Sequence, residues 1–220
     1  MIISFNSIKG GVGKSTLAVN MAAWLVSKGH DVLLVDGDEQ ETASEFTAWR
    51  EQTKGDTGYT LVNMTGANLR KQVESMRSKY DHIVIDTGGR DTTSQRAALS
   101  VADVAMIPFV PRSFDLWTIN KVIEVVEEIQ AIRAEPLVPY VFLSRADIKS
   151  ADNRDVSQAL SEFEQLQFLP YPICNRKAFS NAAGVGLAVF EPEQPDPKAI
   201  AEIDALFNHV LYASHVAATK

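Results

Sequence analysis

Eight consecutive residues, Lys9-Gly10-Gly11-Val12-Gly13-Lys14-Ser15-Thr16, put backbone freedom, fixed positive charge and hydroxyl groups into one short run. Glycines let backbone N–H groups close around an anion without interference from a Cβ. A helix starting at Lys14 adds its own free N–H groups and the positive end of its dipole. In that setting Lys14 supplies a point charge to the β and γ phosphates of a nucleotide. Ser15 offers a hydroxyl to Mg²⁺, and Thr16 reaches towards the α phosphate. The chemistry is phosphate binding, with Gly10, Gly11, Val12 and Gly13 as its backbone.

Three aspartates stand where such a nucleotide needs carboxylates. Asp86 ends the apolar run His82-Ile83-Val84-Ile85, and Asp36 ends Val32-Leu33-Leu34-Val35, with Asp38 two residues later. In open α/β sheets the ligand lies outside the carboxyl ends of the strands. Asp86 is therefore a Mg²⁺ ligand, direct or through water. Aspartates also end strands and cap helices for local reasons; coupling to the phosphate loop decides for the metal. After Asp86 comes Thr87-Gly88-Gly89-Arg90-Asp91-Thr92. Its glycines allow a backbone close to the γ phosphate and a change of conformation between nucleotide states.

The elements that hold these residues follow from periodicity. Short apolar runs at 1–6, 32–36, 59–63, 82–86, 104–109, 138–143 and 169–173 predict strands. Segments of helical period at 14–28, 41–53, 67–79, 92–102, 115–134, 153–166 and 197–216 alternate with them. Runs such as Val32–Val35 have no polar alternation, as in parallel strands buried on both faces. The expectation is an α/β fold: one doubly wound, mostly parallel sheet with helices on both faces, and a single domain over 1–220. Segment 174–197, rich in glycine and proline, reads as a long surface loop before the last helix.

Composition narrows the function classes. The chain has 220 residues, 45% hydrophobic and 22% charged, ordinary for a globular protein with a core. A single cysteine, Cys174, excludes an internal disulfide and fits a reducing cytoplasm. The first residues show no signal-peptide pattern, and no apolar run approaches the roughly 20 residues that span a bilayer. A net charge of −7 disfavours a wholly nucleic-acid-coating surface.

The usual phosphate-loop signature places glycine five positions before Gly13, where this chain has Ile8, and it adds Lys9 before a glycine pair. That departure resembles the deviant Walker A motif of the ParA/MinD superfamily. The likeness covers nearly the whole chain, including Ala102-Asp103-Val104, Ile107-Pro108-Phe109-Val110-Pro111, Ser113-Phe114-Asp115-Leu116 and 185–191. The resemblance implies a P-loop ATPase that uses ATP and Mg²⁺, weak alone and stimulated by a partner. It implies Lys9, Lys14 and Asp38 as catalytic residues: Lys9 crosses a nucleotide-sandwich homodimer to the other subunit's phosphates, Asp38 orients the attacking water, and Asp36 acts near Mg²⁺ with Ser15 and Asp86. It further implies non-specific DNA binding in the ATP state, a ParB-like or other small adaptor, cargo positioning, no membrane, and a cytoplasmic, nucleoid-associated location. With its first strand at Met1, the chain resembles short members without an N-terminal helix-turn-helix.

Some assignments stay open at this level. Arg145 and Pro172 are candidates for an adenine pocket, or else a surface arginine and a loop proline. Arg90 touches a partner subunit or only solvent. Arg145, Lys149, Arg154, Arg176 and Lys177 form a DNA face or are ordinary solvated charges. A MinD-like membrane ATPase needs a basic amphipathic last helix; the stripe Ile200, Ile203, Phe207, Val210, Leu211 is apolar, but its surroundings are acidic. A nitrogenase-reductase-like protein needs two cysteines per subunit for its cluster and is excluded. A metabolic ATP-dependent enzyme of the same fold, such as a dethiobiotin-synthetase-like ligase, generally lacks the Lys9-Gly10-Gly11 arrangement.

Overall fold

Strands without polar alternation must be covered on both faces, and that requirement sets the architecture. The computed structural model describes residues 1–89, 92–111, 116–147, 150 and 152–217. Its strands are β1 (Ile2–Phe5), β2 (Val32–Gly37), β3 (Thr60–Asn63), β4 (His82–Thr87), β5 (Val104–Phe109), β6 (Val138–Ala146) and β7 (Gln167–Phe168). They lie in the order β3-β2-β4-β1-β5-β6-β7, each neighbouring pair parallel. A short β8 (Ile173–Cys174) pairs with the far end of β6. This is the doubly wound sheet that strand–helix alternation implied.

Alternate strand residues feed two cores. Ile3, Phe5, Leu34, Val84 and Phe142 pack on one face against helices α1 (Lys14–Ser27), α2 (Thr42–Lys54), α7 (Lys177–Ala183) and α8 (Pro197–Ala217). Ile2, Leu33, Val35, Ile85 and Val141 pack on the other against α3 (Asn68–Met76), α4 (Thr93–Val101), α5 (Leu116–Ala131) and α6 (Asp152–Ser161). Within α8, Ile203, Phe207 and Val210 are fully buried in the first core. The stripe that a membrane-binding reading would use faces the sheet instead. No helix among the described residues is long and apolar enough to cross a membrane.

Two expectations are corrected. The strand predicted at 169–173 is absent as such; β7 ends at Phe168 and only Ile173 of that interval is in a strand, β8, because Pro170 and Pro172 lack the N–H a ladder needs. Segment 174–197 is no surface loop. It contains α7 and buries Phe179, Ala182, Ala188 and Val189, and the Val189 N–H donates to Asn20 Oδ1 at 2.8 Å. A seven-residue helix is too short to show a helical period, which hid it among the glycines and prolines. Strand β6 also runs three residues past the predicted 143, into Ser144, Arg145 and Ala146. Residues 90–91, 112–115, 148–149, 151 and 218–220, which include Arg90, Asp91, Phe114 and Lys149, lie outside the described residues.

The 185–191 turn is locked to α2 by charge. Arg50, 3% exposed, gives two N–H groups to the Glu191 carboxylate, which also accepts from Lys54 Nζ. Burial alone would raise the Glu191 pKa, but the hydrogen bonds from Arg50, Lys54 and the Ala188 N–H hold it near 2. A carboxylate depressed from 4.5 to about 2 stabilises the fold fully above pH 4.5, and that contribution vanishes as pH falls through about 2. Glu191→Gln leaves Arg50 buried without its counter-charge and should cost roughly 3 kcal/mol at neutral pH. Urea unfolding of both proteins checks this; their difference should shrink across that acid window.

Candidate functional site

The site forms because three loops leave neighbouring parallel strands at the same end. β1 leads into the phosphate loop, β4 into Thr87-Gly88-Gly89, and β2 into Asp36-Gly37-Asp38. Register sets Asp36 beside Asp86 and Phe5 beside Asp86. Thr87 Oγ1 donates to Phe5 O at 2.7 Å, tying the end of β4 to that of β1.

In the phosphate loop, Gly11 and Gly13 have φ of 74° and 97°, a left-handed backbone open to glycine at little cost. Gly13 caps α1 without a side chain, and first-turn N–H groups have no partner within a helix. The loop is held from β6: Ser144 Oγ donates to Val12 O at 2.8 Å, and Arg145 Nη1 donates to Gly11 O at 2.7 Å. Arg145 itself sits at φ 52°, an uncommon conformation for a residue with a side chain. It belongs to the site by bracing the loop. Ser144 was missed from sequence because one serine after an apolar run carries no signal.

A cleft of about 1120 Å³ opens along this loop. Gly10, Gly11, Gly13, Lys14, Ser15, Thr16 and Asp38 line it on one side, with Gly88 and Gly89. Asn175, Arg176, Lys177 and the α7 residues Phe179, Ser180 and Ala183 form a far wall that sequence reasoning did not foresee. Pro172 is exposed and lines no part of it. Lys9 and Val12 line a second hollow of about 750 Å³ across the loop, with Pro111 and Asp147. Lys9 is exposed and does not line the first cleft, while Val12 is buried.

Charge is concentrated on the cleft floor. Lys14 is 6% exposed; burial holds its ammonium below the usual value, against the pull of Asp86 and then Asp38. Asp86 is fully buried, and among the described residues neither of its carboxylate oxygens has a hydrogen-bond partner. Burial, reinforced by Asp36 and Asp38, pushes its pKa up to about 7, while the Ser15 hydroxyl and Lys14 oppose. An orphaned carboxylate beside a serine hydroxyl suits a hard divalent cation that keeps water and phosphate oxygens as its other ligands. Mg²⁺ therefore fits Ser15 and Asp86. Asp36 differs: Oδ2 accepts from Ser44 N at 2.8 Å and Ser44 Oγ at 2.7 Å, and Oδ1 accepts from Asp38 N at 3.2 Å. Its oxygens are occupied in shaping the loop.

The glycines after Asp86 are required by contact. A Cβ on Gly88 would lie 3.2 Å from Asp38 Oδ1, and one on Gly89 would lie 2.8 Å from Gly10 Cα. Of the predicted basic face, Arg176 is bound to Glu202 and Asp196, and Arg145 to the phosphate loop. Arg154 and Lys177 are exposed.

Comparison with known proteins places these features. Residues 3–189 match the CobQ/CobB/MinD/ParA nucleotide binding domain. Maintenance of carboxysome distribution protein A from Gloeobacter kilaueensis is 33% identical over 186 residues, covering 83% of this chain and 81% of the relative. Its namesake from Halothiobacillus neapolitanus is 24% identical over 206 residues, covering 93% and 94%. Among solved structures, an ATP complex of Cyanothece McdA superposes with a TM-score of 0.79 at 17% identity, over 95% of each chain.

Gly89→Ala forces a methyl group into the phosphate-loop backbone, so Gly10 must shift. The variant should fold normally yet bind nucleotide roughly tenfold more weakly, as read by titration with a fluorescent ATP analogue.

Proposed function

Because this chain belongs to the CobQ/CobB/MinD/ParA nucleotide binding family, we propose that it is a ParA-like ATPase whose nucleotide-gated dimerisation positions a cargo. One observation carries the reading: Gly10, Asp38 and Gly88-Gly89 converge on one cleft floor beside Lys14 and the orphaned Asp86. A γ phosphate seated there touches every loop that must respond to it.

Phosphoryl transfer asks mainly for positioning and charge neutralisation. Lys14 and the loop N–H groups hold the β and γ phosphates. Ser15 and Asp86 would hold Mg²⁺, which would supply positive charge against the phosphates. Asp36 keeps Asp38 in place, and Asp38 orients the attacking water. Lys9, exposed beyond its own cleft, reaches the phosphates of a second copy closed face to face over both nucleotides. Loss of the γ phosphate frees Gly88-Gly89 and loosens the dimer, a weak activity that an adaptor accelerates. Carboxysomes lead the candidate cargoes, since two relatives are named for their distribution. The track is duplex DNA, gripped without sequence preference in the ATP state.

Lys14→Ala should weaken ATP binding roughly 100-fold, measured by calorimetry, because a charge-assisted contact is lost. Asp38→Ala should bind ATP as the wild type does while turnover falls roughly 100-fold. The same variant tests the track. Its binding to duplex DNA should appear with ATP–Mg²⁺ alone and decline steeply between low and moderate salt. Equal DNA binding without nucleotide contradicts the gating.

A further inference from the structure

A hydroxyl has one proton, and at Ser44 two oxygens compete for it. Ser44 Oγ lies 2.7 Å from Asp36 Oδ2 and 2.8 Å from the atom assigned as Asn63 Oδ1. Both cannot accept the same hydrogen. The carboxylate is the stronger acceptor, so the serine proton goes to Asp36. The Asn63 amide is then turned with its nitrogen towards Ser44, an assignment that amide oxygen and nitrogen leave to the hydrogen-bond network.

We infer that Asn63 and Ser44 are positioning residues for hydrolysis: Asn63 Nδ2 donates to Ser44 Oγ, Ser44 Oγ donates to Asp36 Oδ2, and Asp36 Oδ1 receives the Asp38 N–H. The chain runs from the end of edge strand β3, through the first turn of α2, to the loop bearing Asp38. Register supports it, since Asp36 and Asn63 are paired residues of β2 and β3, and Met64 N donates to Asp36 O at 3.0 Å. Ser44 also gives its own N–H to Asp36 Oδ2 at 2.8 Å, so α2 and the loop move as one piece. Asp38 is held at its other end too: its Oδ1 accepts from Gln40 N at 3.1 Å. None of these contacts involves the phosphate loop, so the chain acts on hydrolysis and leaves nucleotide affinity alone. The inference rests on the proposed role of Asp38, because only a reacting water gives the position of that carboxylate a consequence.

The test joins hydrogen exchange in the nucleotide-free chain, read on the peptide spanning 36–44, with steady-state hydrolysis and ATP affinity. Ser44→Ala should speed exchange in that peptide roughly tenfold and lower kcat roughly tenfold, with ATP affinity and melting temperature unchanged. Ser44→Thr keeps the hydroxyl and should restore both. Asn63→Asp is nearly isosteric but cannot donate, so it should behave like Ser44→Ala. Unchanged exchange in Ser44→Ala overturns the relay, and a wild-type Asn63→Asp overturns the amide orientation on which it stands. Faster exchange with unaltered kcat overturns its link to hydrolysis. Asp38→Ala at wild-type turnover shows instead that the catalytic reading of Asp38 is wrong, while the exchange readout still decides the relay.

Discussion

Backbone meets backbone where Gly89 lies against Gly10, and no side chain fits between them. That contact exists because β1 and β4 are parallel neighbours whose loops leave at the same level. A phosphate group bound by one loop is then within reach of the other with no intervening side chain to relay its presence. Asp38, against Gly88, brings the loop after β2 to the same place. Three loops thus meet at one place, and the sheet beneath them supplies anchor points through the Thr87–Phe5 bond and the Asp36–Asp86 register.

The cleft floor is electrostatically costly to build. Lys14 and Asp86 are both buried, and Asp86 lacks any hydrogen-bond partner of its own. Buried polar groups ordinarily have partners, and here the costly floor rests on a sheet with large apolar cores on both faces. A nucleotide and cation would supply the missing partners and should stabilise the fold on binding. The contrast with Asp36 is instructive. Two aspartates side by side on adjacent strands differ in their partners: Asp36 accepts from Ser44 and from the Asp38 N–H, and Asp86 accepts from no side chain or backbone group among the described residues.

Much of this was legible in the sequence, for identifiable reasons. The phosphate loop and Asp36, Asp38 and Asp86 sit next to apolar runs long enough to mark strand ends, and strand ends in a parallel sheet mark ligands. Residues that act through register or through a short element left no such trace. Ser44, Asn63 and Ser144 are ordinary polar residues until pairing brings them to a carboxylate or a carbonyl. The α7 wall was concealed by its brevity and by neighbouring glycine and proline. Arg145, left in sequence as an adenine contact or a surface arginine, braces the phosphate loop; Pro172, left as an adenine contact or a loop proline, is exposed and does not line the cleft. Arg176, in sequence part of a DNA face or an ordinary solvated charge, is bound to two carboxylates.

The central claim is that a γ phosphate turns this chain into a face-to-face dimer through Lys9. Sedimentation of wild type and Lys9→Ala, each with a non-hydrolysable ATP analogue and Mg²⁺, with ADP and Mg²⁺, and without nucleotide, tests it most directly. The account predicts that the wild-type mass of 24.2 kDa doubles with the ATP analogue alone. Lys9→Ala should bind the analogue and stay a monomer. One mass in all three states, or doubling without nucleotide, contradicts it.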